Sequence, residues 1–464
     1  MASLTFFGAA GTVTGSRHML DIRDQRLLID CGSFQGTKNN RQRNWEPFPV
    51  PPQSIDRVLL THAHIDHSGY LPRLVKDGFS GPVHSTWATA DLCEILLRDS
   101  AHLQEEDAAW ANKKGFSKHS PALPLYTGED AENALALFSP RYYGEDLYLD
   151  DVLRVKWKDA GHILGASVID IKVKDGGKNR KILFSGDLGR ADELLLRDPV
   201  QAFNVDYLVL ESTYGDRLHE DGRPREELRA VINESVERGG ILLIPSFAVG
   251  RTQALLYLIR EMEEAGEIPI LPVYVDSPMA IDATGIFRQR ITDLNLRTRI
   301  LKLRGTRIFH PKKLQFCKSR HQSKGINSVQ NRAIVISASG MATGGRILHH
   351  LVQRLPHERN TILFVGYQAE GTRGRTIQEG NDRVKIHGQY VPVKAHVQSI
   401  SGFSGHADYE EILAWLMGFN RPPERTFLIH GEPAAREALA TRIRETFDWD
   451  VVLPEQGEAF ELDM

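Results

Sequence analysis

Four side chains able to bind a metal ion fall within six residues, His62-Ala63-His64-Ile65-Asp66-His67. Imidazole nitrogen and carboxylate oxygen are the donors that borderline cations such as zinc accept, and a catalytic site of this kind keeps a position open for water. Residues two apart share one side of an extended segment, and a following turn carries Asp66 and His67 the other way, so one loop can serve two adjacent ions. Burying several imidazoles together with no cation would leave polar groups unsatisfied. Four donors are too few for two ions. The chain supplies others beside glycine: His162 in Ala160-Gly161-His162, Asp187 in Ser185-Gly186-Asp187 and His430 in Ile429-His430-Gly431-Glu432. A lone His or Asp at such a place usually reads as a turn residue. Next to the His62 run, each becomes a candidate ligand, and the glycines allow close backbone approach.

Short β segments must position these donors. Residues 4–7 run into Gly8-Ala9-Ala10-Gly11, residues 26–29 end at Asp30-Cys31-Gly32, and residues 57–60 end at Thr61-His62. Residues 167–173, 182–184 and 207–210 are further runs rich in branched or aromatic side chains. Ionisable residues therefore gather where strands stop, the edge at which an open sheet presents ligand sites. Residues 88–113 carry Leu92, Ile95, Leu96 and Leu103 at helical spacing and predict one long surface helix. After Tyr214 the pattern becomes strand, helix, strand, at 241–244, 251–265 and 273–275, and again at 333–336, 345–355 and 361–365. Such alternation predicts a parallel sheet with covering helices, a second domain. His406, Asp408 and His430 then return to the chemistry of the first segment, the order that an inserted middle domain produces.

A chain of 464 residues, 41% apolar and 25% charged, fits a globular protein of two domains. Its three cysteines, Cys31, Cys93 and Cys317, fit neither a disulfide framework nor a thiolate zinc site, and point to a reducing cytoplasm. No stretch approaches the roughly 18 apolar residues of a membrane span, so no membrane partner is expected. The net charge of −3, taken whole, disfavours nucleic acid. Its distribution does not: the 64 residues between Asp293 and Glu358 hold no carboxylate side chain and thirteen Lys and Arg, from Arg297 to Arg354. That asymmetry suits a phosphate-attracting surface, with a solvated basic loop as the plainer alternative. Within it Ser337, Ser339, Gly340, Thr343, Gly344 and Gly345 lead from a strand into a helix. Free backbone N–H groups there can cradle an RNA phosphate, although Gly-rich turns also occur without ligands. No Gly-Lys-Ser/Thr follows, which removes the ATP-binding reading.

The His62 run together with Asp30, His162 and Asp187 resembles the motif set of the metallo-β-lactamase superfamily in its two-metal hydrolase form. The resemblance implies an α/β fold, the metallo-β-lactamase αββα sandwich. It also implies His62, His64 and His162 on one ion, Asp66 and His67 on the second, Asp187 bridging, and Asp30 ordering the histidine loop from behind. Glu211-Ser212-Thr213-Tyr214-Gly215, Ser404-Gly405-His406-Ala407-Asp408 and Leu428-Ile429-His430-Gly431-Glu432 resemble the three further motifs of the β-CASP nucleases, and residues 245–251 and 339–346 resemble their inserted α/β domain. The domains expected on this basis are 1–208, 209–394 and 395–464, the middle one inserted. His430 stands where DNA-processing members usually have valine, which implies RNA. The pattern is most similar to prokaryotic relatives of the endonuclease subunit of the cleavage-and-polyadenylation machinery.

The resemblance implies a ribonuclease with two divalent ions, zinc with manganese as the alternative, clamping a phosphodiester across about 3.5–4 Å. Hydroxide from a shared water attacks phosphorus, while His406 gives a proton to the leaving sugar oxygen and Glu211 orients His406 and holds it protonated. Products then carry 5′-phosphate and 3′-hydroxyl ends. Single-stranded RNA is the expected partner, endonuclease and 5′-exonuclease modes both fit, and a homodimer is left open. The rivals are a hydrolase of small thioesters or lactams on the same fold, a DNA nuclease, and an inactive scaffold that binds RNA or partners. The apparently complete ligand set speaks against the last.

Overall fold

Strand β1 (Ala2–Phe6) buries Ala2, Leu4 and Phe6 and turns Ser3 and Thr5 outward, the alternation of a half-buried sheet. The computed structural model describes residues 2–115, 119–175, 177–219, 223–366, 368–369, 371–400 and 402–464. It forms two compact units, Met1–Leu218 with Gly405–Met464, and His219–Ser404. The first unit continues through β2 (His18–Ile22), β3 (Gln25–Ile29), β4 (Arg57–Leu59), β5 (Val83–His84), β6 (Asp146–Tyr148), β7 (Leu153–Asp159), β8 (Ser167–Asp175), β9 (Lys178–Phe184) and β10 (Tyr207–Glu211). The second unit carries β11 (Ile241–Pro245), β12 (Pro272–Val275), β13 (Lys313–Phe316), β14 (Ala333–Ser337), β15 (Thr361–Phe364), β16 (Arg383–Ile386), β17 (Gln389–Pro392) and β18 (His396–Ser399). The chain then returns to the first unit with β19 (Arg425–Ile429), β20 (Val451–Val452) and β21 (Ala459–Leu462).

In the first unit a six-stranded sheet, β21-β1-β2-β3-β4-β5, faces a seven-stranded sheet, β20-β19-β10-β9-β8-β7-β6. Leu4, Phe6, Leu20, Leu27 and Ile29 of one pack with Trp157, Ile169, Ile182, Phe184, Val209 and Phe427 of the other in a single core. Helices flank the sheets, which gives the αββα sandwich. The helix expected over 88–113 spans Trp87–Lys114, but it buries Leu92, Cys93, Leu97 and Ala101 and leaves Leu103 exposed. The buried stripe thus runs one position away from the one the leucine spacing suggested.

Parallel pairing decides where the functional side chains emerge. Ile29 pairs with Leu59, so Asp30 and Thr61 leave neighbouring strands together. Val209 pairs with Phe184 and Glu211 with Ile429, which sets Asp187, Glu211 and His430 along the same carboxyl edge.

The second unit has one parallel sheet of six strands, β13-β12-β14-β11-β15-β18, as the strand and helix alternation required. A separate two-stranded hairpin joins β16 to β17. The expected boundaries move by about ten residues on each side. A cut after residue 208 would split β10, which is held by β9 and β19; a return at 395 would detach β18, which pairs with β15. Among the described residues no helix is long and apolar enough to cross a membrane, and the three cysteines are free and buried.

Candidate metal centre

The donors singled out in the sequence converge in the first unit as two groups that share Asp187. In one, His62 Nε2 lies 3.1 Å from His64 Nδ1, which lies 3.3 Å from His162 Nε2. Asp187 Oδ2 is 3.3 Å from His62 Nε2 and 3.4 Å from His162 Nε2. In the other, His67 Nε2 approaches His430 Nε2 at 3.2 Å and Asp187 Oδ1 at 3.2 Å, and Asp66 Oδ2 is 3.4 Å from His430 Nε2. The buried Asp187 Oδ1 forms no hydrogen bond, an orphan of the kind a cation satisfies. An all-nitrogen-and-oxygen donor set on each side of one carboxylate fits two divalent cations.

The rear nitrogens show why these rings point inward. Asp30 accepts from His67 Nδ1–H at 2.7 Å and from the backbone N–H of Thr61 at 2.7 Å. The Thr61 hydroxyl also donates to Asp30, leaving its oxygen to accept from His62 Nδ1–H at 3.0 Å. His162 Nδ1–H donates to the Gly405 carbonyl at 2.9 Å, and His430 Nδ1–H to Thr213 Oγ1 at 3.1 Å. Each such bond fixes the tautomer whose other nitrogen faces the cluster. Asp30 thus lies behind the loop, hydrogen-bonded to His67 and Thr61, the position that the resemblance implied for it. Thr61, Thr213 and the Gly405 carbonyl were not anticipated; adjacency to His62 and to Glu211 was the available signal for the two threonines, while a backbone carbonyl leaves none.

Two glycines make the crowding possible. Gly186, at φ +57°, sits where a Cβ would lie 2.7 Å from Thr61 Cβ, and a Cβ at Gly431 would meet Ser212 Oγ at 2.3 Å. Asp30 and His430 themselves adopt φ of 58° and 49°, in the left-handed region that Asp and His enter more readily than most residues.

The protonation pattern is that of a ligand set. Burial, reinforced by the His67 charge, pushes His62 down to about 3, and burial likewise lowers His64 and His162, leaving neutral rings. Burial works against the charged form of Asp187 and Asp66, yet the surrounding imidazoles outweigh it and keep both carboxyls well below the usual range. His67 moves the other way: burial opposes its charge, but Asp187 and Asp30 raise it well above an ordinary histidine. A cation placed among these donors would take over the role of that proton.

His406 stands beside the cluster. Its Nδ1 lies 3.2 and 3.3 Å from the two oxygens of Glu211, and its Nε2 is 3.9 Å from Asp187 Oδ2. Burial disfavours the imidazolium, but the Glu211 and Asp187 carboxylates prevail and hold His406 up at about 9. Glu211 is fully buried and is itself fixed by the Leu188 N–H at 2.6 Å.

The phosphate-turn candidates lie together in the second unit, with one correction. The Ser337 hydroxyl is buried and donates to the Asp276 carbonyl at 2.9 Å, so it serves the turn rather than a ligand. Gly340 packs against Phe247, and the Thr343 N–H is spent on Ser339 Oγ at 3.0 Å. Gly344 and Gly345 precede the helix Arg346–Arg354.

Residues 18–228 match the family model of the metallo-β-lactamase superfamily, 252–377 the Beta-Casp domain, and 390–454 the Zn-dependent metallo-hydrolase RNA specificity domain. Fold, donor set and these matches define a member of the metallo-β-lactamase superfamily. A ribonuclease of Thermus thermophilus is 38% identical over 434 residues, 93% of this chain and 94% of that one. Proteins named transcription termination factor FttA are 31% identical in Methanocaldococcus jannaschii, over 97% of this chain and 70% of that one, and 32% identical in Thermococcus kodakarensis, over 99% and 71%. A solved protein of unknown function from Enterococcus faecalis V583 superposes with a TM-score of 0.56 at 15% identity, covering 99% of this chain and 100% of that one, a likeness of fold alone. The chain belongs to the β-CASP family of the superfamily.

Proposed function

We propose that the protein is a metal-dependent ribonuclease that hydrolyses phosphodiester bonds of single-stranded RNA in RNA processing or decay, in the cytoplasm. The observation that carries this reading is the pairing of a half-buried His406 with the buried Glu211, adjoining two donor groups that share Asp187. The donor groups would hold divalent cations, zinc ahead of manganese, which would supply Lewis acidity and a more acidic water there. His62, His64 and His162 would hold one ion, Asp66, His67 and His430 the other, and Asp187 both. His406 Nε2 carries the proton that the departing sugar oxygen needs, and Glu211 orients the ring through Nδ1 and keeps it charged. The products then carry 5′-phosphate and 3′-hydroxyl ends. A general acid beside the two ligand groups suits a reaction that expels a sugar alkoxide, whereas the thiolate of a thioester leaves without a proton. The name of the Thermus relative, a ribonuclease, and the match to an RNA specificity domain support RNA over DNA, as does His430. With the Thr343 N–H engaged by Ser339, the hydroxyls of Ser339 and Thr343 and the N–H groups of Gly344 and Gly345 would meet a backbone phosphate of the bound strand.

The test is cleavage of internally and end-labelled RNA and DNA by the full chain and by Asp187→Asn. The expected result is RNA products with 5′-phosphate ends, abolished together with bound metal in the variant. An inert wild-type protein with a full metal complement, or preference for DNA, would overturn the reading. The length pattern of early products separates internal from end-directed cutting.

A further inference from the structure

The β16–β17 hairpin of the second unit has two faces of opposite character. Val384, Ile386 and Val391 are buried in the core of that unit. Arg383, Lys385 and Tyr390 stand outward, and Tyr390 is 65% exposed. Lys385 is directly opposite Tyr390 in the register; its Nζ lies 6.0 Å from the ring centroid, and the Arg383 guanidinium lies 5.0 Å from it. An aromatic face framed by two cations, neither of them paired with a carboxylate among the described residues, borders a cleft of about 520 Å³. Thr343 and Thr376 also line it. Arg373 ties the hairpin to the Gly-rich turn by donating to the Lys385 carbonyl at 2.9 Å and to the Thr343 carbonyl at 2.9 Å. Thr343 of the Gly-rich turn thus lines this cleft.

We infer that the cleft is an accessory site for single-stranded RNA, in which a base stacks on Tyr390 and the flanking phosphates meet Arg383 and Lys385. The inference rests on the ribonuclease reading for the identity of its ligand. A stacking face accepts every base, two flexible cations follow a backbone, and the threonine hydroxyls of the lining can bond to sugar or phosphate, which is the composition of a sequence-tolerant single-strand site. A volume of that order accommodates a nucleotide rather than a folded partner. The hairpin register makes the arrangement rigid, since Lys385 and Tyr390 are held by opposite positions of one two-stranded ladder.

The test measures binding of a fluorescent 20-nucleotide single-stranded RNA to the full chain in an Asp187→Asn background, with wild-type cleavage assayed in parallel. Tyr390→Ala is expected to weaken binding about 10-fold and Tyr390→Phe to preserve it, because stacking rather than the hydroxyl is used. Arg383→Ala with Lys385→Ala is expected to reduce the salt slope by about 1.4, two single-strand phosphate contacts. Tyr148→Ala, which removes an equally exposed tyrosine of the first unit, is the control and should bind normally. A 4-thiouridine strand should crosslink to the peptide containing Tyr390. Unchanged affinity and salt slope in the hairpin variants, while the wild type cleaves RNA, would overturn this inference and leave the ribonuclease reading standing. A wild type that cuts no nucleic acid would overturn that reading, and the crosslink would still report on the cleft. Displacement by polyglutamate as effective as by RNA, or saturation by a mononucleotide with no crosslink to the strand, would also refute the accessory site.

Discussion

Glu211→Gln tests the division of labour around His406 most directly, because it changes one charge and nearly no volume. The ordinary histidine value is 6.5 and His406 is held at about 9, with Glu211 the largest opposing influence to burial. A folded value above the ordinary one means that the charged ring contributes stability, and serves as an acid, fully below pH 6.5, and that both are lost as pH rises through 9. Replacing the carboxylate by an amide removes the main source of the rise and leaves burial opposed by Asp187, so the alkaline limb of cleavage should move to about 6.5. At pH 8 a ring with a value of about 9 is about 90% protonated and one of 6.5 about 3%, so the variant should lose about 30-fold. At pH 6 both rings are mostly protonated, and the loss should be less than about 2-fold. Single-turnover cleavage of a short RNA from pH 5.5 to 9.5, with metal content determined for each protein, measures the limb. A defect of the same size at every pH, at full metal occupancy, would refute the claim that Glu211 acts by keeping His406 charged.

His406→Ala should retain its divalent metal and lose about 10²- to 10⁴-fold in cleavage rate; turnover at the wild-type rate would remove His406 from the reaction. His64→Ala should instead lose metal and cleavage together, as read by elemental analysis beside the RNA assay, and retention of both would break the ligand assignment. Chelation should abolish cleavage and lower the midpoint of thermal unfolding, since ions that bind only the folded cluster add about 2.7 kcal/mol at a hundredfold excess over Kd; an unchanged midpoint with full activity would contradict a resident metal. Gly186→Ala places a Cβ 2.7 Å from Thr61 Cβ at φ +57°, so it should cost about 1–3 kcal/mol in urea unfolding and weaken metal binding through the Asp30–Thr61–His62 chain. Wild-type stability would show that the loop is not held from behind in this way.

The metal donors were legible because their chemistry is rare and local: four donors in six residues, then isolated histidine or aspartate next to glycine at strand ends. What oriented them was not legible, since the bond that fixes His162 comes from the carbonyl of Gly405, 243 positions away. Domain limits depend on distant partners in the same way, because membership of β10 and β18 is decided by strands that pair with them and not by their own composition. The basic interval shows how far one-dimensional charge reasoning reaches. Counted along the chain, residues 294–357 have no carboxylate of their own. In space, Arg297 meets Glu261 at 2.6 Å, Lys318 meets Asp282 at 2.8 Å, and Arg346 meets the buried Asp276 at 2.8 Å, all acids from outside the interval. The sheet brings those acids in from helices and strands earlier in the chain. Arg346 is further committed to the carbonyls of Cys317 and Lys318, which makes it a strut of the Gly-rich turn rather than a phosphate ligand. Arg383 and Lys385, outside the run that first suggested RNA, add two further cations that a hairpin presents beside an aromatic ring. A run of like charge thus states how many phosphates a region could neutralise, and the tertiary pairing decides which of those charges remain for the task.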